Sequence, residues 1–317
     1  MSTDARPDGG VEAVQGGLTS RLGAWLGDLD VYRVALYAVL LFMVAFYLTP
    51  IETGLVTSVK TNAAVIHTVP LAPPGPGGFT LAKWSMAVDA LARGMGNSLL
   101  FSVPATVISA FLGSLAAYGL TVADWGKRAK APILALFVAA IFIPYQAVLV
   151  PLSQFWGQYV QLGQNLSFLW ALGIDKAYAG LIELVVTHVA YGIPICTILF
   201  RAYYKTMSEE MIESARLDGA SLRRVYRRIV LPLSTPMFAV VLIYQFTQIW
   251  NDLLFTLVLV STESSPAAPV VLILAGLGTS IEGTDFPLRM AGAFFAALPT
   301  LAVYIFFGEE FAEGVTT

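Results

Sequence analysis

Long apolar runs alternate with polar segments along most of the chain. Six of them approach the length needed to cross a bilayer: residues 32–48, 97–120, 132–152, 180–200, 236–260 and 287–307. A hydrocarbon core of roughly 30 Å takes about 20 helical residues, and each run is matched to that template. The runs are apolar on all sides and too long for alternating barrel strands. Backbone groups facing lipid must pair within their own segment, so the pattern predicts helices. The expected fold is all-α: a polytopic transmembrane bundle of about six spans over residues 31–307. Thr49-Pro50 is expected to end the first span, and Pro144, Pro194 and Pro299 predict kinks inside later ones.

The polar segments divide by character. Residues 1–30 mix Asp4, Asp8, Glu12, Asp28 and Asp30 with Gly and Ser, and lack the basic start and apolar core of a cleavable signal. They read as a polar tail, with 308–317 as a second one. Residues 51–95 read as an external loop, because the stretch from Leu71 to Gly78 is too rich in Pro and Gly for a helix. A second external segment lies between Val260 and Pro287; its apolar piece, 269–277, is too short to cross and suits a re-entrant or interfacial position.

Composition agrees with lipid as the solvent: 57% of residues are hydrophobic and 12% charged, against about 25% charged in soluble domains. A net charge of −3 gives no support to nucleic-acid binding. Cys196 is the sole cysteine, so neither an intramolecular disulfide nor a cysteine-cluster metal site is available. With six spans, thirteen basic residues fall on one side: Arg6, Arg21, Arg33, Lys127, Arg128, Lys130, Arg201, Lys205, Arg216, Arg223, Arg224, Arg227 and Arg228. Five, namely Lys60, Lys83, Arg93, Lys176 and Arg289, fall on the other. The basic excess places both tails in the cytoplasm of a multi-pass plasma-membrane protein.

The cytoplasmic segment 203–235 carries more specific chemistry than solubility requires. Ser208, Glu209 and Glu210 supply a cap and two carboxylates for a helix through Met211, Ile212, Ala215 and Leu217. Asp218-Gly219 ends it, Ser221 caps a second helix through Leu222, Val225 and Ile229, and Pro232 stops that one. The second helix has an apolar stripe flanked by Arg223, Arg224, Arg227 and Arg228. Such a surface suits a protein groove or an anionic lipid face, and periodicity leaves both open.

Glu213-Ser214-Ala215-Arg-Leu-Asp218-Gly219, followed by Ile229-Val-Leu231-Pro232, resembles the EAA loop of ABC import permeases, with Ser214 where the motif usually has Ala. Asn97-Ser98, Leu115-Ala-Ala-Tyr118, Ile143-Pro144 with Pro151, Trp250-Asn251-Asp252, Ala291-Gly292 and Leu298-Pro299 are similar, in order and spacing, to maltose-type carbohydrate permeases. Glu309-Glu310-Phe311 departs from that family's usual carboxyl end. The resemblance implies an ABC type I importer permease fold and a coupling role for Glu213, Ser214, Ala215, Asp218, Gly219, Ile229, Leu231 and Pro232. It also implies the partners: a cytoplasmic ABC ATPase dimer that binds ATP and Mg, a second permease subunit, and an extracytoplasmic binding protein delivering a sugar. No Gly-x-x-x-x-Gly-Lys-Ser/Thr loop occurs, so no nucleotide or other cofactor is expected in this chain and it is not expected to be an enzyme.

Polar residues inside spans are the remaining candidates, since a charge at the bilayer centre costs about 2.5 to 3.5 kcal/mol. Tyr244, Gln245, Gln248, Trp250, Asn251 and Asp252 in the fifth span, with Tyr145 and Gln146 in the third, are candidates to line a path for hydroxylated substrate, Tyr244 or Trp250 stacking on a sugar ring. The competing reading is interhelical hydrogen bonding without substrate contact. His188 and Glu183, five residues apart in the fourth span, read as an interior histidine and an interfacial carboxylate and not as a proton relay. His67 has no Cys, Asp or Glu at ligand spacing, so a metal site is not expected. Beside sugar import, the sequence leaves open an ABC importer of another solute, such as glycerol phosphate or a polyamine. It also leaves open an ion-coupled secondary transporter and a membrane scaffold. A secondary transporter would call for paired intramembrane carboxylates and would not need the 203–235 loop.

Overall fold

A computed structural model describes residues 31–308 apart from 124, 125 and 282. The tail assigned to 1–30, and that assigned to 308–317 with its Glu309-Glu310-Phe311 departure, lie outside the described residues except for Gly308. The chain is a helical bundle. Among the described residues, four helices are long and apolar enough to cross a membrane, and up to 6 spans result if each of two bent pairs counts as one.

The first helix, α1, spans Val31–Ser58 and does not stop at Thr49-Pro50 as expected. Proline costs the helix the bond from residue 50 to the Phe46 carbonyl, a loss that helices within a membrane tolerate; one residue earlier the Thr49 hydroxyl donates to the Ala45 carbonyl at 2.8 Å. Only its last turns are buried, where Gly54 lets α1 approach the Phe294 ring.

The second helix, α2 (Ala82–Val122), runs 41 residues, or about 60 Å at the helical rise. It begins 15 residues before the expected start, so the supposed external loop 51–95 is largely helical. Lys83, Asp89 and Arg93 hid that portion from a search for apolar runs, because it projects as a charged helix beyond the apolar stretch. The third span is broken: α3 (Lys127–Ile141) and α4 (Tyr145–Gln154) meet at a 95° bend. Pro144 stands at the bend, so the expected kink is a full break.

Helix α5 (Ala179–Tyr204) passes through Pro194 intact. A hairpin follows, of α6 (Glu209–Leu217) and α7 (Leu222–Val225), the latter prolonged by a π-helical turn Tyr226–Val230 and by Leu231–Leu233. A 75° bend leads into α8 (Thr235–Trp250). The fifth span is not continuous to Val260. It breaks after Trp250, and α9 (Leu254–Leu259) starts afresh. The short helix α10 (Val270–Gly276) and a two-residue-per-strand hairpin, β1 (Thr279–Ser280) with β2 (Gly283–Thr284), precede α11 (Phe286–Phe306).

The core is the α2–α5 seam. Small residues at Ser102, Ala105, Ser109, Ala110, Gly113 and Ala117 form its buried stripe on α2. A Cβ at Gly113 would collide with the Cys196 side chain, and one at Gly192 with Gln245 and Ser109. Backbones this close gain dispersion contacts that bulkier side chains would forbid, which is how helices associate where burial from water offers little drive. Four turns into α2, the Asn97 amide donates to the carbonyls of Pro266 and Ala268 at 2.9 and 3.0 Å. Ser98 Oγ accepts from the Val270 N–H at 2.9 Å. The apolar piece 269–277 is thereby seated on α2. Lys83 pairs with Asp285, which caps α11 by accepting from the Leu288 N–H at 3.0 Å. Partial burial pushes the Asp285 carboxyl up, and hydrogen bonds from Lys83 and Leu288 outweigh it, so its pKa ends below the usual range.

Candidate functional site

The hairpin at the carboxyl end of α2 forms as its sequence dictates. Ser208 Oγ accepts from the Met211 N–H at 3.3 Å, capping α6 beside Glu209 and Glu210. At the other end the Gly219 N–H donates to Arg216 O and the Ala220 N–H to Ala215 O, both at 3.0 Å. This paired closure needs a left-handed residue between them, and Gly219 supplies it at φ 80°. Ser221 Oγ then accepts from the Arg224 N–H at 3.4 Å to start α7. Gly219 closes α6 and Ser221 opens α7 two residues later, so the turn has little freedom.

Its residues face two ways. Ile212 is buried, and Ala215, Ile229 and Leu231 pack beside it on Tyr118, Phe200, Tyr204, Val225 and Tyr226. Glu213, Ser214, Asp218, Gly219 and Pro232 are exposed. The sequence pattern put Leu217 on the apolar run of α6, yet the structure leaves it 89% exposed at the tip. Leu217 therefore stands outside the core that Ile212 and Ala215 join. Beside it, Arg223, Arg224, Arg227 and Arg228 line with Ser221 a recess of about 420 Å³.

The intramembrane candidates split. Tyr244, Gln248 and Asn251, at i, i+4 and i+7, share one exposed face of α8. Asn251 donates its amide to Thr247 O at 2.9 Å and borders a recess of about 430 Å³ with Phe286, Arg289 and Met290. Gln245, Trp250 and Asp252 point inward instead. Trp250 is 1% exposed, stacks on Phe246 at 5.4 Å and donates its indole N–H to Ala296 O at 3.0 Å. A ring so enclosed has no face for a sugar, which corrects the stacking role expected of it; Tyr244 alone of that pair has an open ring. Gln245 lies against Gly192 and Cys196.

Asp252 explains the broken span. Its Oδ2 accepts from the Phe255 N–H at 3.1 Å and its carbonyl accepts from the Thr256 hydroxyl at 3.0 Å. Short polar side chains favour such caps over helix continuation. The same oxygen lies 3.5 Å from His188 Nε2, while the imidazole stacks on Phe101 at 5.7 Å. His188 is thus an interior residue facing Asp252. Tyr145 is half-buried against Tyr191 and Phe255, at 5.0 and 4.8 Å between ring centres, and Gln146 is exposed.

Sequence reading missed the attachments of the hairpin: Ser114, Tyr118, Tyr203, Tyr204 and Tyr226. Tyrosines at helix ends were the available signal, but nothing in their spacing named their partners.

Comparisons with known proteins place this geometry. Residues 109–308 match the family described as binding-protein-dependent transport system inner membrane component. The chain is 49% identical, over 92% of its length and 94% of the relative's, to a xylose/arabinose import permease protein of Haloferax volcanii. It is 28% identical to a glucose import system permease protein of Saccharolobus solfataricus, over 88% of this chain and 92% of that one. Among solved structures, it resembles a bacterial ABC transporter involved in import of the acidic polysaccharide alginate, with TM-score 0.64 and 18% identity, covering 89% of this chain and 96% of that one. At that identity the likeness speaks for the fold.

Proposed function

Because the chain belongs to the family of binding-protein-dependent transport system inner membrane components, we propose that it is the permease subunit of an ATP-driven importer of a small neutral sugar, a pentose first among the candidates. The observation that carries the reading is the α6–α7 hairpin: a capped, glycine-closed turn with Leu217 at its exposed apex. A stiff apex transmits displacement that a loose loop would absorb.

In this reading the apex seats in a cleft of a cytoplasmic ATPase dimer, which binds and hydrolyses ATP with Mg. Closure of that dimer rocks α2 and α5 and alternates access to a path shared with a second permease subunit. Sugar reaches the outer side on a binding protein, and both termini lie in the cytoplasm. Tyr244, Gln248 and Asn251 offer an aromatic face, an amide and a second amide along one side of α8, a combination that suits hydroxylated substrates. No covalent step on the sugar is involved. The pentose assignment draws on the Haloferax volcanii relative.

The test is uptake of labelled xylose and arabinose into vesicles holding the assembled complex. Uptake should require ATP and loaded binding protein and survive collapse of ion gradients. Uptake driven by an ion gradient without ATP would overturn the reading.

A further inference from the structure

The α6–α7 hairpin is attached to the bundle through both of its helices. Helix α6 packs on it through Ile212 and Ala215. Helix α7 and its extension are also gripped by hydroxyls at three levels. At the start, Tyr118 of α2 donates to Leu222 O at 2.9 Å. At the middle, Tyr226 meets Ser114 Oγ of α2 at 2.8 Å, and the same Ser114 oxygen meets the Tyr204 hydroxyl of α5 at 2.6 Å. At the end, Tyr203 of α5 donates to Leu233 O at 2.8 Å.

Ser114 is fully buried, with Tyr204 2% and Tyr226 5% exposed. A serine bridging two tyrosines in a buried seam forms a directional chain in which each hydroxyl polarises the next. Tyr226 also opens the π-helical turn, whose Leu231 N–H reaches back to the Tyr226 carbonyl. Such turns are rare and recur at functional positions; here the turn sits where α7 is tied to Ser114. Packing alone resists separation but permits sliding, whereas directional bonds at three levels also resist sliding and rotation.

We infer that Ser114, Tyr118, Tyr203 and Tyr226 are positioning residues that convert displacement of the hairpin into movement of α2 and α5, with load carried through α7 and its extension. The inference rests on the permease reading and assigns the linkage within it.

The experiment uses the whole complex in vesicles, with sugar imported per ATP hydrolysed as the readout. Tyr118→Phe and Tyr226→Phe keep the rings and remove only the hydroxyls, and Tyr159→Phe, on a ring 79% exposed, is the control. The double variant should keep ATP hydrolysis stimulated by loaded binding protein while sugar per ATP falls on the order of tenfold, within the usual range of coupling between sites. A ratio unchanged from the parent complex overturns the linkage, as does a fall in uptake and hydrolysis together in proportion to assembled complex, which marks a purely structural role. A parent complex that hydrolyses ATP but imports no sugar overturns the permease reading as well, so the two failures are distinguishable.

Discussion

The hairpin apex and the polar stretch of α8 carry similar densities of polar side chains, yet they use them in opposite directions. At the apex the cap hydroxyls satisfy local backbone groups and leave Glu213, Asp218 and Leu217 facing outward. Along α8 half of the candidates are spent on the chain itself: Trp250 on Ala296, Asp252 on Phe255, Gln245 against α5. A polar residue in a membrane segment is therefore no pointer to substrate until its partners are known.

The comparison is broken most forcefully at Trp250. If the ring is structural, Trp250→Ala should cost about 3 to 5 kcal/mol, as large-to-small core changes do. Thermal unfolding of the purified complex should show that loss, and uptake per assembled complex should change little. Normal stability with weakened sugar affinity would return Trp250 to the pathway. Next comes Gly219→Val. Its side chain would meet open space, so the cost lies in forcing a β-branched residue into a left-handed backbone, about 1 to 3 kcal/mol. Uptake should fall by about five- to 150-fold, the range that such a strain corresponds to, with membrane levels of the chain held.

Smaller effects sharpen the exposed face of α8. Gln248→Ala with Asn251→Ala should raise the KM for uptake by about three- to tenfold, the loss of one or two modest hydrogen bonds, with assembly unchanged. Equal KM values would assign both amides to contacts between helices. The smallest effect is acid-dependent and lies far from both regions. The folded pKa of Asp285 sits below its unfolded value, so its stabilising contribution is complete above about pH 4 and is lost as pH falls through the folded value. Lys83→Met should flatten that part of the stability profile between about pH 5 and pH 2 in detergent; an unaltered profile would mean that the pair contributes nothing.

The hairpin was legible almost residue by residue because caps, a closing glycine and a stopping proline are local rules. Ser208, Gly219 and Ser221 act where the sequence places them. Spans were legible as apolar runs, but their ends were not. Pro50 sits inside a helix, and the charged start of α2 around Lys83 and Arg93 continues a span that composition alone would end. The break at Asn251 escaped notice because apolar residues continue on both sides of it. Facing was the least legible property. Gln245 and Gln248 are alike in sequence, and only packing against Gly192 separates the buried one from the exposed one.

The claim that the apex is a cytoplasmic lever can be tested by a single handle. Cys196 is the only natural cysteine and is fully buried, so Leu217→Cys creates one reactive thiol. In sealed, oriented vesicles carrying the assembled complex, a membrane-impermeant maleimide should reach it only from the cytoplasmic side, and a short cross-linker should join it to the ATPase subunit. Labelling from the outer side, or cytoplasmic labelling with no cross-link to an ATPase, would contradict the account.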